Sequence, residues 1–200
     1  MNARIFKILS LALVAASTPT LAFAHTGVGA TGGLAHGFFH PFSGLDHTVA
    51  MVMVGLIAAR LGGRALWLLP TTFLALMAVG GALGVAGVAV PHVEVGIAVS
   101  LIAFGAVAAA GVRAPAAMAF GLVGFFAIFH GHAHGTEMPM NASGFSYGAG
   151  FLVATALLHA MGLGLGLSIE TFAKTHGALI SRVTGGLAAA AGFGMLGGVL

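Results

Sequence analysis

Six long apolar runs, separated by short breaks that hold most of the charges, fill the chain from about residue 37 onward. They fall near 37–59, 65–86, 93–112, 115–131, 145–168 and 178–198. Each is close to the ~20 residues that a helix needs to cross a ~30 Å hydrocarbon layer. No run alternates apolar and polar residues as a barrel strand would. Lipid offers no partner to open backbone groups, so helices are the predicted element throughout. The pattern predicts an all-α membrane protein, a six-helix transmembrane bundle in one domain over residues 25–200. No linker divides it, and no internal repeat stands out.

The first residues follow another pattern. Arg4 and Lys7 form a basic start, Ile8 to Ala16 a short apolar run, and Ala22-Phe23-Ala24 a small-residue cleavage site. Together they predict a signal peptide over 1–24, removed to leave His25 as the first mature residue. The alternative, an uncleaved first span, fits poorly with so short a run ending near Pro19.

Composition then narrows the class. Only 6% of residues are charged, and mean hydropathy is +1.09. A soluble domain carries about 25% charged residues, so a soluble enzyme is excluded. Seven Lys and Arg against four Asp and Glu are too sparse for a nucleic-acid surface. With no Cys, thiolate metal sites, disulfides and Cys nucleophiles are excluded as well.

The basic residues set an orientation. Arg60 and Arg64 lie in the first break, Arg113 in the third, Lys174 and Arg182 in the fifth. With the mature N-terminus outside, all five fall on the cytoplasmic side, as the positive-inside rule requires. Six spans then place the C-terminus outside too. Glycines four apart recur inside the runs, at Gly80/Gly84, Gly144/Gly148, Gly162/Gly166 and Gly194/Gly198. Such spacing predicts close helix packing.

Histidine follows the opposite distribution to Lys and Arg. Of ten, only His176 is expected on the cytoplasmic side. One cluster is His36, His40, Asp46 and His47, in HGFFHPFSGLDH. On a continuous helix His36, His40 and His47 share a face, although Pro41 weakens this by kinking or starting a helix. His47 lies roughly 20 Å outward of Arg60 along a helix, within the hydrocarbon layer. Asp46 at that depth costs at least ~2.5–3.5 kcal/mol, so it is expected to face the interior and pair with His or a cation. A second cluster is His130, His132, His134 and Glu137, in HGHAHGTEMP. A helix would align 130, 134 and 137; an extended segment would align 130, 132 and 134. Either presents nitrogen and oxygen ligands suited to Ni, Co, Cu or Zn rather than Mg or Ca. Glu137, in an outer loop, needs no partner. Glu94 and His92 open the third run, and His159 sits near the middle of the fifth.

The run His40-Pro-Phe-Ser-Gly-Leu-Asp46-His47, followed by Met51, resembles the signature of the HupE/UreJ family. HAHGTEMP, the segment LLHAMGLGLG and the spacing from Pro91 to Glu94 agree with it. The resemblance covers essentially the whole mature chain. It implies a hydrogenase or urease accessory protein of the bacterial inner membrane, a nickel (or cobalt) permease. By that likeness His36, His40, Asp46 and His47 belong to the metal path, with Glu94 and His130 as further candidates. His132, His134, His159 and His25 join them on chemistry and depth.

The expected function is thus secondary import of a divalent metal, Ni2+ or Co2+, as substrate, with no permanently bound cofactor. The lipid bilayer and the ion are the only partners implied. No Walker A sequence is present, so ATP hydrolysis by this chain is not expected. Two other classes are an intramembrane metalloenzyme and a haem protein with axial His47 and His159. Neither gains a supporting motif.

Overall fold

The computed structural model describes residues 30–110, 115–139, 143–172 and 176–199. The expected signal peptide, His25, Arg113 and Lys174 lie outside the described residues. The elements are α1 (Ala30–Phe39), a 3-10 turn (His40–Phe42), α2 (Leu45–Leu61), α3 (Ala65–Val85), α4 (Val93–Ala110), α5 (Ala116–Thr136), α6 (Gly144–Phe172) and α7 (Gly177–Leu196). The helices α3 to α7 are each long and apolar enough to span a bilayer. The pair α1 and α2 supplies a sixth span if its two arms, bent by 80°, count as one. The protein is a multi-pass membrane protein of helices alone among the described residues.

The bend replaces the continuous first helix predicted near 37–59. Pro41 cannot donate a backbone hydrogen bond, and its ring crowds the preceding turn. The chain tightens into the 3-10 turn, where the Ser43 amide and hydroxyl both donate to the His40 carbonyl at 3.0 and 2.6 Å. Gly44 is extended (φ −105°, ψ 124°), and α2 restarts after it. Thr48 Oγ1 donates back to the Pro41 carbonyl at 2.9 Å, tying the new helix to the turn. His36, His40 and His47 therefore do not share one helical face.

Small residues bring the helices together in pairs. Gly80 and Gly84 of α3 lie against the backbone of α5, and Gly131 and Gly135 of α5 lie against α3. A Cβ at any of these four would collide with main-chain atoms of the partner. The two helices run parallel, since Met77 faces Gly131 and Gly81 faces Gly135. Gly55 and Gly162 join α2 to α6 in the same way, and Gly105 and Gly185 join α4 to α7. Interfaces of this kind gain van der Waals contact that lipid cannot match. Two expected glycine pairs do something else. Gly148 has open space beside it. Gly198 (φ +67°) ends α7, with the Val199 amide donating to Gly194 and the Gly198 amide to Met195. This is a helix stop that needs the left-handed conformation.

Met51, Val54, Phe73, Met77, Leu101, Phe104 and Leu158 are fully buried at the centre of the bundle. Trp67, Phe125, Phe145 and Leu187 are exposed apolar residues on its outside, as expected of a surface facing lipid. Helix directions gather Arg60, Arg64 and Arg182 at one end. Asp46, His47, His92, Glu94, His130 and His134 belong to the other.

Candidate metal path

The sequence HGHAHGT remains helical as the last turns of α5, which selects the helical alternative for the second cluster. His130 and His134 share a face that turns inward, and both are buried. His132 lies on a different side of the helix. Its Nε2 donates to the Val88 carbonyl at 2.7 Å. That carbonyl is held by the turn ending α3, where Gly87 (φ +72°) lets the Val88 amide reach Leu83 at 3.0 Å. His132 thus clips the end of α3 to α5 and is not brought to the other imidazoles.

Asp46 and His47 occupy the first turn of α2. Unpaired amides and the positive end of the helix dipole favour a carboxylate there. This lessens the cost expected for an acid at depth. Asp46 Oδ1 lies 3.1 Å from His47 Nδ1. A carboxylate only accepts, so His47 donates through Nδ1, and in the neutral ring the lone pair is then on Nε2.

The imidazoles form a file. His40 meets His134 with ring centroids 4.9 Å apart, His134 meets His47 at 4.2 Å, and His47 meets His130 at 4.9 Å. Phe73 continues it, 5.7 Å from His130 and 5.0 Å from His159. His36 stacks on His40 at 5.8 Å. At the exposed end Glu137 Oε2 lies 2.9 Å from His40 Nε2 and 3.6 Å from His134 Nδ1. The ligand atoms of His40, His134 and Glu137 lie within 4.8 Å of one another, close enough for one ion. The hydrogen bond from His40 holds the Glu137 carboxyl below the usual carboxylate range, and burial opposes it only partly.

Four buried rings in this file keep nitrogens without a protein partner: His47 Nε2, His130 Nδ1, and both nitrogens of His134 and His159. Buried polar atoms are normally paired, so such a concentration marks a site built for something else. The other nitrogen of His130, Nε2, lies 2.9 Å from Ser100 Oγ. Glu94 stands exposed on the first turn of α4 and has no ion pair with the file among the described residues. His92 is also exposed, with φ +56°.

Three residues near the file escape a search for ligands. Phe73 has an apolar side chain like its neighbours. Tyr147 has its ring 6.0 Å from His40 and a buried hydroxyl without a partner. Ser100 is a lone hydroxyl in an apolar run. A cleft of about 410 Å3 between α3, α5 and α6 reaches His134, with Met77, Met138, Tyr147 and Phe151 on its walls. At the arginine end a second cavity of about 260 Å3 is lined by Arg60, Glu170, Ser181 and Thr184. Arg60 there donates to the Ala108 carbonyl at 3.0 Å.

The family profile described as HupE / UreJ protein matches residues 11–195. A protein called Protein HupE from Rhizobium leguminosarum bv. viciae is 46% identical over 188 residues, covering 94% of this chain and 96% of that one. No solved structure matches.

Proposed function

The chain belongs to the HupE/UreJ family, and from that premise we propose that it is a permease importing a divalent transition metal, Ni2+ or Co2+. The ion passes from periplasm to cytoplasm across the bacterial inner membrane and supplies maturation of a hydrogenase or a urease. The observation that carries this reading is the file of buried imidazoles with bare nitrogens, flanked by the carboxylates of Asp46 and Glu137. Nitrogen and carboxylate oxygen suit borderline divalent ions.

In this reading His36, His40, His134 and Glu137 collect the hydrated ion and replace part of its water shell. His47 and His130 take it inward, and the charge of Asp46 offsets that of the ion. His159, beyond Phe73, is the innermost imidazole. Glu94 and His25 belong to the periplasmic approach, and His132 supports the path by holding α3 to α5. Several moderate sites in series let an ion enter and still leave. Release follows at the arginine end, which the positive-inside rule makes cytoplasmic. A path of this kind transports and does not catalyse, and it holds no resident cofactor. A metalloenzyme needs one tight site with an acid or base beside it, not a row of ligands.

The test is uptake of radiolabelled Ni2+, Co2+, Cu2+ and Zn2+ into proteoliposomes, with and without a pH gradient. Wild type should accumulate Ni2+ or Co2+, and Asp46→Ala and His47→Ala should abolish it. Uptake by both variants equal to wild type would sink the assignment of this path.

A further inference from the structure

Ser100 is fully buried on α4 and has one proton to give. Its Oγ lies 2.6 Å from the Ile97 carbonyl and 2.9 Å from His130 Nε2. The carbonyl can only accept, so a contact that short needs the hydroxyl proton. The serine then has only lone pairs to offer the imidazole. His130 Nε2 must therefore carry hydrogen and donate to Oγ. A neutral imidazole has one N–H, which leaves Nδ1 bare. Nδ1 is the buried nitrogen that finds no partner in the protein.

We propose that Ser100 is a positioning residue that fixes His130 as its Nε2–H tautomer and so presents the bare Nδ1 to the transported cation. The inference rests on the permease reading and names a residue that acts through a ligand without touching the ion. Its partner across the file has the complementary form. Asp46 holds the proton of His47 on Nδ1, which leaves Nε2 bare. The two rings stand edge to face at 4.9 Å, one set by a carboxylate on α2 and the other by a hydroxyl on α4. Metal-bound imidazoles usually donate their second nitrogen to such an outer group, which fixes tautomer and ring angle together. Removing that group removes the preference. An alanine at 100 would leave Nε2–H buried without an acceptor, and His130 would be free to take its proton on Nδ1, where it blocks coordination.

The experiment uses the full-length protein in nanodiscs, with 15N-labelled histidine and His130 assigned from a His130→Gln spectrum. Long-range 1H–15N correlations should show wild-type His130 protonated at Nε2 alone. Ser100→Ala should shift it to the Nδ1–H form or a mixture, and Ser100→Thr, which keeps the hydroxyl, should restore it. Calorimetric titration with Ni2+ and Co2+ should show affinity about 10- to 100-fold weaker in Ser100→Ala, recovered in Ser100→Thr. A wild-type His130 protonated at Nδ1 overturns the proposal without any variant having to fold. So does a Ser100→Ala protein whose tautomer and affinity are unchanged. The expected tautomer in a wild-type protein that binds neither metal would instead overturn the permease reading, and the ligand role of Nδ1 with it.

Discussion

A methyl group added at Gly44 tests the Asp46–His47 pair without changing either residue. Gly44 has φ −105° and ψ 124°, which alanine adopts freely, so the substitution introduces no backbone strain. The new Cβ would lie 2.5 Å from Asp46 Oδ1 and 3.3 Å from His47 Nδ1. Ordinary contacts begin near 3.4 Å, so the carboxylate has to retreat by roughly 0.9 Å while the imidazole gives slightly. The pair, now 3.1 Å apart, would lose its hydrogen-bond geometry, and His47 its fixed tautomer. The fold has a small loss to absorb: alanine is a poorer N-cap than glycine by about 1 kcal/mol. The proposed metal site has more at stake, because loss of the group that holds a ligating imidazole costs about 10- to 100-fold in affinity or activity. Gly44→Ala should therefore raise the Ni2+ concentration for half-maximal uptake into proteoliposomes by about 10- to 100-fold. The melting temperature should fall by only a few degrees. Gly148→Ala, with open space beside it on α6, is the control and should leave uptake unchanged. A Gly44→Ala protein with wild-type half-saturation would mean that the ion does not depend on the Asp46–His47 geometry.

Other substitutions probe the ends of the file. His134→Ala should abolish uptake, whereas His132→Ala should reduce thermal stability by about 1–2 kcal/mol, through the loss of its bond to Val88, and leave residual transport; equal transport loss in both would make His132 a ligand. Glu137 has a lowered pKa, so its tie to His40 stabilises the fold above the unfolded value near 4.5 and is lost as pH falls through the folded value. The melting temperature of Glu137→Gln should accordingly lie below wild type at pH 6, and the gap should narrow progressively as the solution is acidified below about 4.5; a gap that does not narrow would contradict this. His25→Ala with cleavage preserved should raise the half-saturating metal concentration with little change at saturation, and an unchanged value would start the path at His36.

The spans were legible because hydropathy reports which side chains face lipid. Second, third and sixth runs match α3, α4 and α7 closely. The fourth run stops near residue 131, yet α5 continues to Thr136. Its last turns are polar but face the bundle interior, where lipid exposure imposes no apolar requirement. Pro41 signalled a break in the first run, but its 80° angle depends on tertiary and local contacts: Thr48 bonding to Pro41, and Gly37 packed against Tyr147. The types of the candidate ligands were readable from the histidines themselves. Their neighbours were not: Glu137 lies 97 residues from His40, and Ser100 lies 30 from His130. Nothing in one sequence distinguishes a serine that sets a tautomer from one that bonds only to its own helix.

The glycine contacts have a mechanical consequence. Where two backbones touch, neither helix can slide without a main-chain collision, so α2 with α6, α3 with α5 and α4 with α7 behave as three stiff rails. The inner part of the file and the serine beside it are shared among all three: His47 and His159 ride on the first, His130 and His134 on the second, Ser100 on the third. An ion bound between His47 and His130 would act as a cross-tie between rails, and its departure would free them to shift. On the proposed path the seams would carry the chemistry and the rails the rigidity, so displacement of one rail would change several ligand distances at once.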